Sequence, residues 1–130
     1  MITFYSLPSC ASCRKSKKWL MKHEVPFTER NILSDPLNES EIKHLLKMTT
    51  DGTEEIISTK SKVYQALNVD IEQMNLNNLI SLIMEYPKLL KAPILFDERY
   101  LQVGHNEEGL CKFLPRRNKK RILPLQALPQ

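Results

Sequence analysis

Cys10 and Cys13 stand at Cys-x-x-Cys spacing within Tyr5-Ser6-Leu7-Pro8-Ser9-Cys10-Ala11-Ser12-Cys13-Arg14-Lys15. An apolar, β-prone run (Ile2, Phe4, Tyr5) precedes this stretch and a long helix-prone run follows it. The order reads as strand, tight loop and helix, with Cys10 near the helix start. Unpaired backbone N–H groups and the helix dipole at such a place favour a thiolate over a thiol. Arg14, Lys15 and Lys17 add positive charge nearby. Cys13 follows one turn later, close enough to attack Cys10 or trap it as a disulfide. The stretch therefore points to a thiol–disulfide centre at the head of a βαβ unit. An inert buried pair and half of a zinc site are the alternatives. The chain has no second Cys-x-x-Cys, and Cys111, His23, His44 and His105 stand singly without ligand spacing. No metal and no cofactor is expected.

A chain of 130 residues is long enough for one domain with its own core. Met1 leads into a strand rather than a signal peptide, and no apolar run approaches a membrane span. Three cysteines do not make a secreted disulfide framework. A cytoplasmic protein with no membrane attachment is expected. Charge is uneven: residues 112–130 carry six basic residues and no acid, whereas residues 1–111 carry 13 basic and 15 acidic ones. Such a basic tail is either simply solvated or a neighbour of nucleic acid.

Further along, Ala11 to His23 shows a helical face of Ser16, Trp19, Leu20 and His23, and Phe27 to Ile32 reads as a short second strand. A helical crossover makes strands one and two parallel. Asn38 followed by Glu41 marks a helix start of the capping-box kind. Ile42, Leu45, Leu46 and Thr49 form its inner stripe, and Gly52 is placed as its left-handed end. Lys62 to Leu67 reads as a short helix; Leu76, Leu79, Ile80 and Ile83 mark the buried side of another, stopped by Pro87. Lys91 to Phe96 returns to strand, Tyr100 to Val103 is its hairpin partner, and Asn106 caps a last helix running to about Leu114. The expected fold is α/β: a thioredoxin-like mixed sheet, βαβ…ββα, with an inserted helical subdomain. Its core would comprise residues 1–34 and 92–115, the insertion residues 35–91, and the basic tail residues 116–130. The topology also suggests a cis bond at Pro93, facing the cysteines.

From Met1 to about Pro115 the chain resembles the Spx proteins, a branch of the arsenate-reductase (ArsC-like) group. The resemblance rests on Pro8-Ser9-Cys10-x-x-Cys13-Arg14-Lys15, Glu29-Arg30-Asn31-Ile32, Asp51-Gly52-Thr53-Glu54-Glu55-Ile56-Ile57-Ser58-Thr59, Ser61-Lys62-Val63-Tyr64, Pro93-Ile94, Leu101-Gln102-Val103-Gly104-His105-Asn106-Glu107 and Phe113-Leu114-Pro115-Arg116. It implies a regulator rather than an enzyme. Spx-like proteins bind the carboxy-terminal domain of the RNA polymerase α subunit and redirect transcription under thiol-oxidative stress. A Clp-type protease, helped by an adaptor, removes them.

Carried over by position, Cys10 and Cys13 would form the redox-active disulfide. Gly52 would lie at the polymerase contact, with Lys47 beside it. Lys60 and Lys62, together with the basic face of the first helix and the tail, would touch promoter phosphates only within the polymerase complex. The protein itself is expected to be a monomer. Anion-handling members carry arginines where this chain has Lys60 and Ala92, with Lys91 adjacent. A lysine lacks the bidentate fork suited to an oxyanion. The alternative, an arsenate-reductase-like or glutaredoxin-like thiol oxidoreductase, rests on the Cys-x-x-Cys.

Overall fold

The computed structural model describes residues 1–50 and 52–114; Asp51, Pro115 and the basic tail lie outside the described residues. Four strands form one mixed sheet in the order β2-β1-β3-β4. β1 (Ile2–Ser6) runs parallel to β2 (Phe27–Asn31), with Ile2 opposite Phe27 and Ser6 opposite Asn31. β3 (Ile94–Phe96) lies antiparallel on the other side of β1, and β4 (Leu101–Val103) closes the hairpin.

Alternation along the strands sorts side chains between two packed layers. Ile2, Phe4 and Leu95 join Trp19 and Leu20 of α1 (Ala11–Lys22), and Leu110 of α5 (Glu107–Leu110), on one face. Tyr5 and Ile94 meet Ile42 and Leu45 of α2 (Glu39–Met48), and Leu79, Ile80 and Ile83 of α4 (Leu76–Glu85), on the other. The helical stretch expected over 35–91 thus covers one face of the sheet. Phe4, Leu20, Ile42, Leu45, Ile94 and Leu95 have no exposed surface. Burying a side chain of this kind stabilises the fold by about 1.5–3 kcal/mol.

Local chemistry sets the boundaries. α1 stops where Glu24 takes φ +55° and the Val25 N–H returns to the Leu20 carbonyl at 2.9 Å. At the start of α2 the Glu41 N–H donates to Asn38 Oδ1 at 2.8 Å, and the Asn38 N–H donates to Glu41 Oε1 at 2.9 Å. This reciprocal pair is the expected capping box. Arg30 on β2 reaches the same Glu41 carboxylate and bonds the Asp35 carbonyl at 3.0 Å, tying strand to helix.

Three sequence expectations change. Gly52 does not end α2: the helix closes at Thr49, whose hydroxyl donates to the Leu46 carbonyl at 2.7 Å. Gly52 instead precedes a 3₁₀ turn over Thr53–Glu55. Leu76 is 52% exposed, because it is the first residue after the Asn75 cap and precedes the buried stripe. The last helix is α-helical only over Glu107–Leu110 and tightens to 3₁₀ over Cys111–Phe113. α3 covers Lys62–Leu67 as expected.

Candidate functional site

The chain leaves β1, turns at Ser9 with φ +57°, and enters α1 with Cys10 as the N-cap residue. A positive φ at a non-glycine residue is uncommon and marks a constrained turn. The turn aims Cys10 Sγ back over the first helical turn, where it accepts the Cys13 N–H at 3.1 Å. The same sulfur donates to the Ala92 carbonyl at 3.9 Å, and the Ala92–Pro93 bond is cis, as the topology suggested. Cys10 is half-buried, whereas Cys13 is only 5% exposed. Burial, reinforced by the side-chain contact with Cys10, pushes the Cys13 thiol up to about 12. The arrangement is two thiols one turn apart, from which one sulfur can close on the other.

A cavity of about 270 Å³ opens over this pair, lined by Ser6, Arg14, Lys17 and Glu29 among others. The Glu29 carboxylate accepts the Ser6 hydroxyl at 3.0 Å and pairs with Lys17 Nζ at 2.9 Å. The bond from Lys17, with help from Ser6 and against the effect of burial, holds its carboxyl below the usual carboxylate range. Sequence reasoning missed Glu29 in this role, since strand and helix bring it to the cysteines from far along the chain. It also missed the 2.8 Å hydrogen bond between buried Ser16, one turn past Cys13, and His105 Nδ1. Lys91, adjacent to the Ala92 position where anion-handling members carry an arginine, lines a different cavity. That cavity, about 790 Å³, lies between the segment after Gly52 and β4. Neither cavity is lined by Lys60.

Gly52 is exposed, with φ +95° and ψ −173°, a combination open essentially to glycine alone. A Cβ there would meet no atom within 4 Å. Lys47 is exposed on the last turn of α2, and Lys60 and Lys62 are exposed around the start of α3. The segment after Gly52 is stitched to the run entering β3. Ile57 and Leu90 form an antiparallel bridge, the Ser58 N–H donates to the Leu89 carbonyl at 2.7 Å, and the Lys91 N–H donates to the Ile56 carbonyl at 2.8 Å. Lys91 in turn adjoins Ala92, whose carbonyl faces Cys10. The cysteines and Gly52 are thus separate surfaces joined by a short hydrogen-bonded stretch of backbone.

The ArsC family matches residues 5–113. Over 117 residues the chain is 58% identical to the global transcriptional regulator Spx of Bacillus subtilis (strain 168), covering 90% of this chain and 89% of that protein. The chain belongs to the Spx branch of the ArsC family. A second Spx protein, the global transcriptional regulator of Staphylococcus saprophyticus, is 56% identical over 126 residues, 97% of this chain and 95% of its own length. Among solved structures, an ArsC-family related protein from Bacteroides fragilis superposes with a TM-score of 0.78 at 28% identity, covering 87% of this chain and 97% of that one. The arsenate reductase of Vibrio cholerae reaches the same TM-score, 0.78, at 21% identity, covering 87% and 97% of the two chains, and so shares the fold. In this Spx-family chain, Arg14 and Lys17 are the cations lining the cysteine cavity, and the Glu29 carboxylate shares that cavity with them.

Proposed function

We propose that the chain is a redox-responsive global regulator of transcription that binds the carboxy-terminal domain of the RNA polymerase α subunit. Its Spx relatives are named as global transcriptional regulators. The observation that carries the reading is Gly52, an exposed backbone with open space where a side chain would stand. A partner can approach main chain closely at such a point. Lys47, exposed on the last turn of α2, would meet acidic groups of the partner.

Thiol oxidation would act from the other end. Joining Cys10 to Cys13 moves the sulfur that now bonds the Ala92 carbonyl, and the stitch from Lys91 to Ile56 carries the displacement toward Gly52. Lys60 and Lys62 would hold promoter phosphates once polymerase has placed the protein, positioning it without reading sequence. Residues 1–115 would form one domain and 116–130 a basic tail. The protein would act as a cytoplasmic monomer and be cleared by a Clp-type protease with its adaptor.

An arsenate-reductase activity is disfavoured by Lys60 and Ala92, which stand where anion-handling members carry the bidentate arginines suited to an oxyanion. The test is a titration of the purified protein with the isolated α carboxy-terminal domain. Saturable binding that Gly52→Arg abolishes is the expected result. Equal binding by the variant, or turnover of arsenate at enzymatic rate, would overturn the reading.

A further inference from the structure

Two side-chain contacts tie the first two turns of α1 to the segment around Pro93. At the head of the helix, the Cys10 thiol donates to the Ala92 carbonyl at 3.9 Å. One turn past Cys13 stands Ser16, which has no exposed surface. A buried hydroxyl needs a partner, and Ser16 Oγ finds His105 Nδ1 at 2.8 Å, 89 residues along the chain. His105 lies between β4 and α5, and both its neighbours are fixed. The Gly104 N–H donates to the Pro93 carbonyl at 2.8 Å, and Asn106 Oδ1 accepts the Gly109 N–H at 3.2 Å. The contacts close a ring that runs from Cys10 to Ala92 and Pro93, on to Gly104 and His105, across to Ser16, and back along α1 through Cys13. We propose that His105, acting through Ser16, is a positioning residue that holds α1 against the Pro93 segment and so sets the equilibrium between the Cys10–Cys13 dithiol and its disulfide. The inference rests on the redox reading above.

The two ties respond differently to oxidation. Cys10 gives up its thiol proton when the disulfide forms, so its sulfur no longer donates to Ala92. Ser16 and His105 hold nothing that oxidation consumes, and their bond keeps the second turn of α1 seated. Cys10 is placed by the turn at Ser9 and by Ala92, whereas Cys13 is placed by the seat of the helix. The Ser16–His105 bond fixes that seat relative to the segment that Cys10 touches, and so fixes the approach of one sulfur to the other. Groups already held in the geometry of the product meet at a high effective concentration. By linkage, whatever the bond adds to the disulfide, the disulfide adds to the bond. Loss of the bond should therefore weaken the disulfide.

The reaction balances with oxidised glutathione as the oxidant. Cys10, the half-buried thiol, attacks one sulfur of the reagent as its thiolate. A mixed disulfide forms, the reagent's S–S bond breaks, and one glutathione leaves and takes up the proton. Cys13, only 5% exposed, then loses its proton and attacks Cys10 sulfur. The protein S–S bond forms and the second glutathione leaves with that proton. Two electrons have passed from the protein pair to the reagent. At equilibrium, the ratio of glutathione forms reads only the difference between dithiol and disulfide protein. A contact equally strong in both forms cancels.

The experiment equilibrates full-length protein in glutathione buffers of graded ratio at one pH. Peptide mass spectrometry counts the Cys10–Cys13 bond and separates it from any bond to Cys111, which packs against the same apolar cluster. Ser16→Ala is expected to weaken the disulfide about threefold to tenfold, or roughly 15–30 mV in potential. His105→Leu is expected to do the same. His105→Asn, whose amide oxygen can stand where Nδ1 stands, is expected to keep most of the wild-type value. The double variant Ser16→Ala with His105→Leu strands no polar group, so it keeps the test standing should His105→Leu fail to fold. Its melting temperature should return toward wild type while its disulfide stays weak. A merely structural pair would return both. Potentials unchanged in Ser16→Ala and in the double variant, a strengthened disulfide, or no rescue by His105→Asn would overturn the proposal. A wild-type protein that forms no Cys10–Cys13 bond at any ratio would instead overturn the redox reading beneath it.

Discussion

Substitution of Gly52 separates what the fold requires from what a partner requires. At φ +95° and ψ −173° any side chain strains the backbone, at a cost of about 1–3 kcal/mol. The space around the position is open, with no atom within 4 Å of a Cβ. Gly52→Ala and Gly52→Arg should therefore lose the same stability. For a chain of this size each kcal/mol is worth roughly 4 °C, so both melts should fall by about 4–12 °C and coincide within error. Binding to the α carboxy-terminal domain should not coincide. Alanine intrudes by one methyl group and should weaken binding by about tenfold or less. Arginine overfills a close contact, and an overpacked interface that loses about 3 kcal/mol is weakened more than a hundredfold. Thermal melting and a binding titration on the same three proteins make the comparison. An arginine variant that melts far below the alanine variant would show a contact inside the chain that this geometry excludes. Two variants that bind alike would show that no partner approaches Gly52.

Two more expectations concern charge. Lys60→Glu with Lys62→Glu should weaken the promoter–polymerase complex and flatten its salt dependence by about one unit of slope for each phosphate that is no longer neutralised. Binding to the isolated α domain should be unaffected by that pair, and an undiminished promoter complex would refute the phosphate role. Cys13, raised from 9.0 to about 12 in the folded chain, contributes stability that is fully present below pH 9 and is lost as pH rises toward about 12. Urea unfolding of reduced protein across that window should show a steeper alkaline loss in wild type than in Cys13→Ala, and parallel curves would contradict the assignment.

Much of the architecture is legible in the sequence because it is written in local periods. Ile2, Phe4 and Tyr5 announce a buried strand, and Trp19 and Leu20 the inner face of the helix after it. The three-residue spacing of Asn38 and Glu41 locates a helix start to the residue. Gly52 departs from its expected role for a physical reason. A glycine after a helix usually caps it, but here the Thr49 hydroxyl closes the last turn and the glycine is left to admit the next one. Ser9 gives no sign of its positive φ, since serine takes that conformation only when its surroundings impose it. The cavity over the cysteines is the least legible part. Ser6 and Glu29 meet across 23 residues through strand pairing, and no short-range pattern records that. Lys91, adjacent in sequence to the residue that faces Cys10, lines another cavity, while Arg14 and Lys17 arrive from the helix.

The central claim is that the thiol pair acts on the surface around Gly52. It is tested most directly by titrating the isolated α carboxy-terminal domain with the same preparation, fully reduced and with Cys10 and Cys13 joined. The account expects binding in at least one state, with an affinity that differs between the two and a difference that Cys10→Ser removes. Equal affinity in both states, or no binding in either, would contradict it.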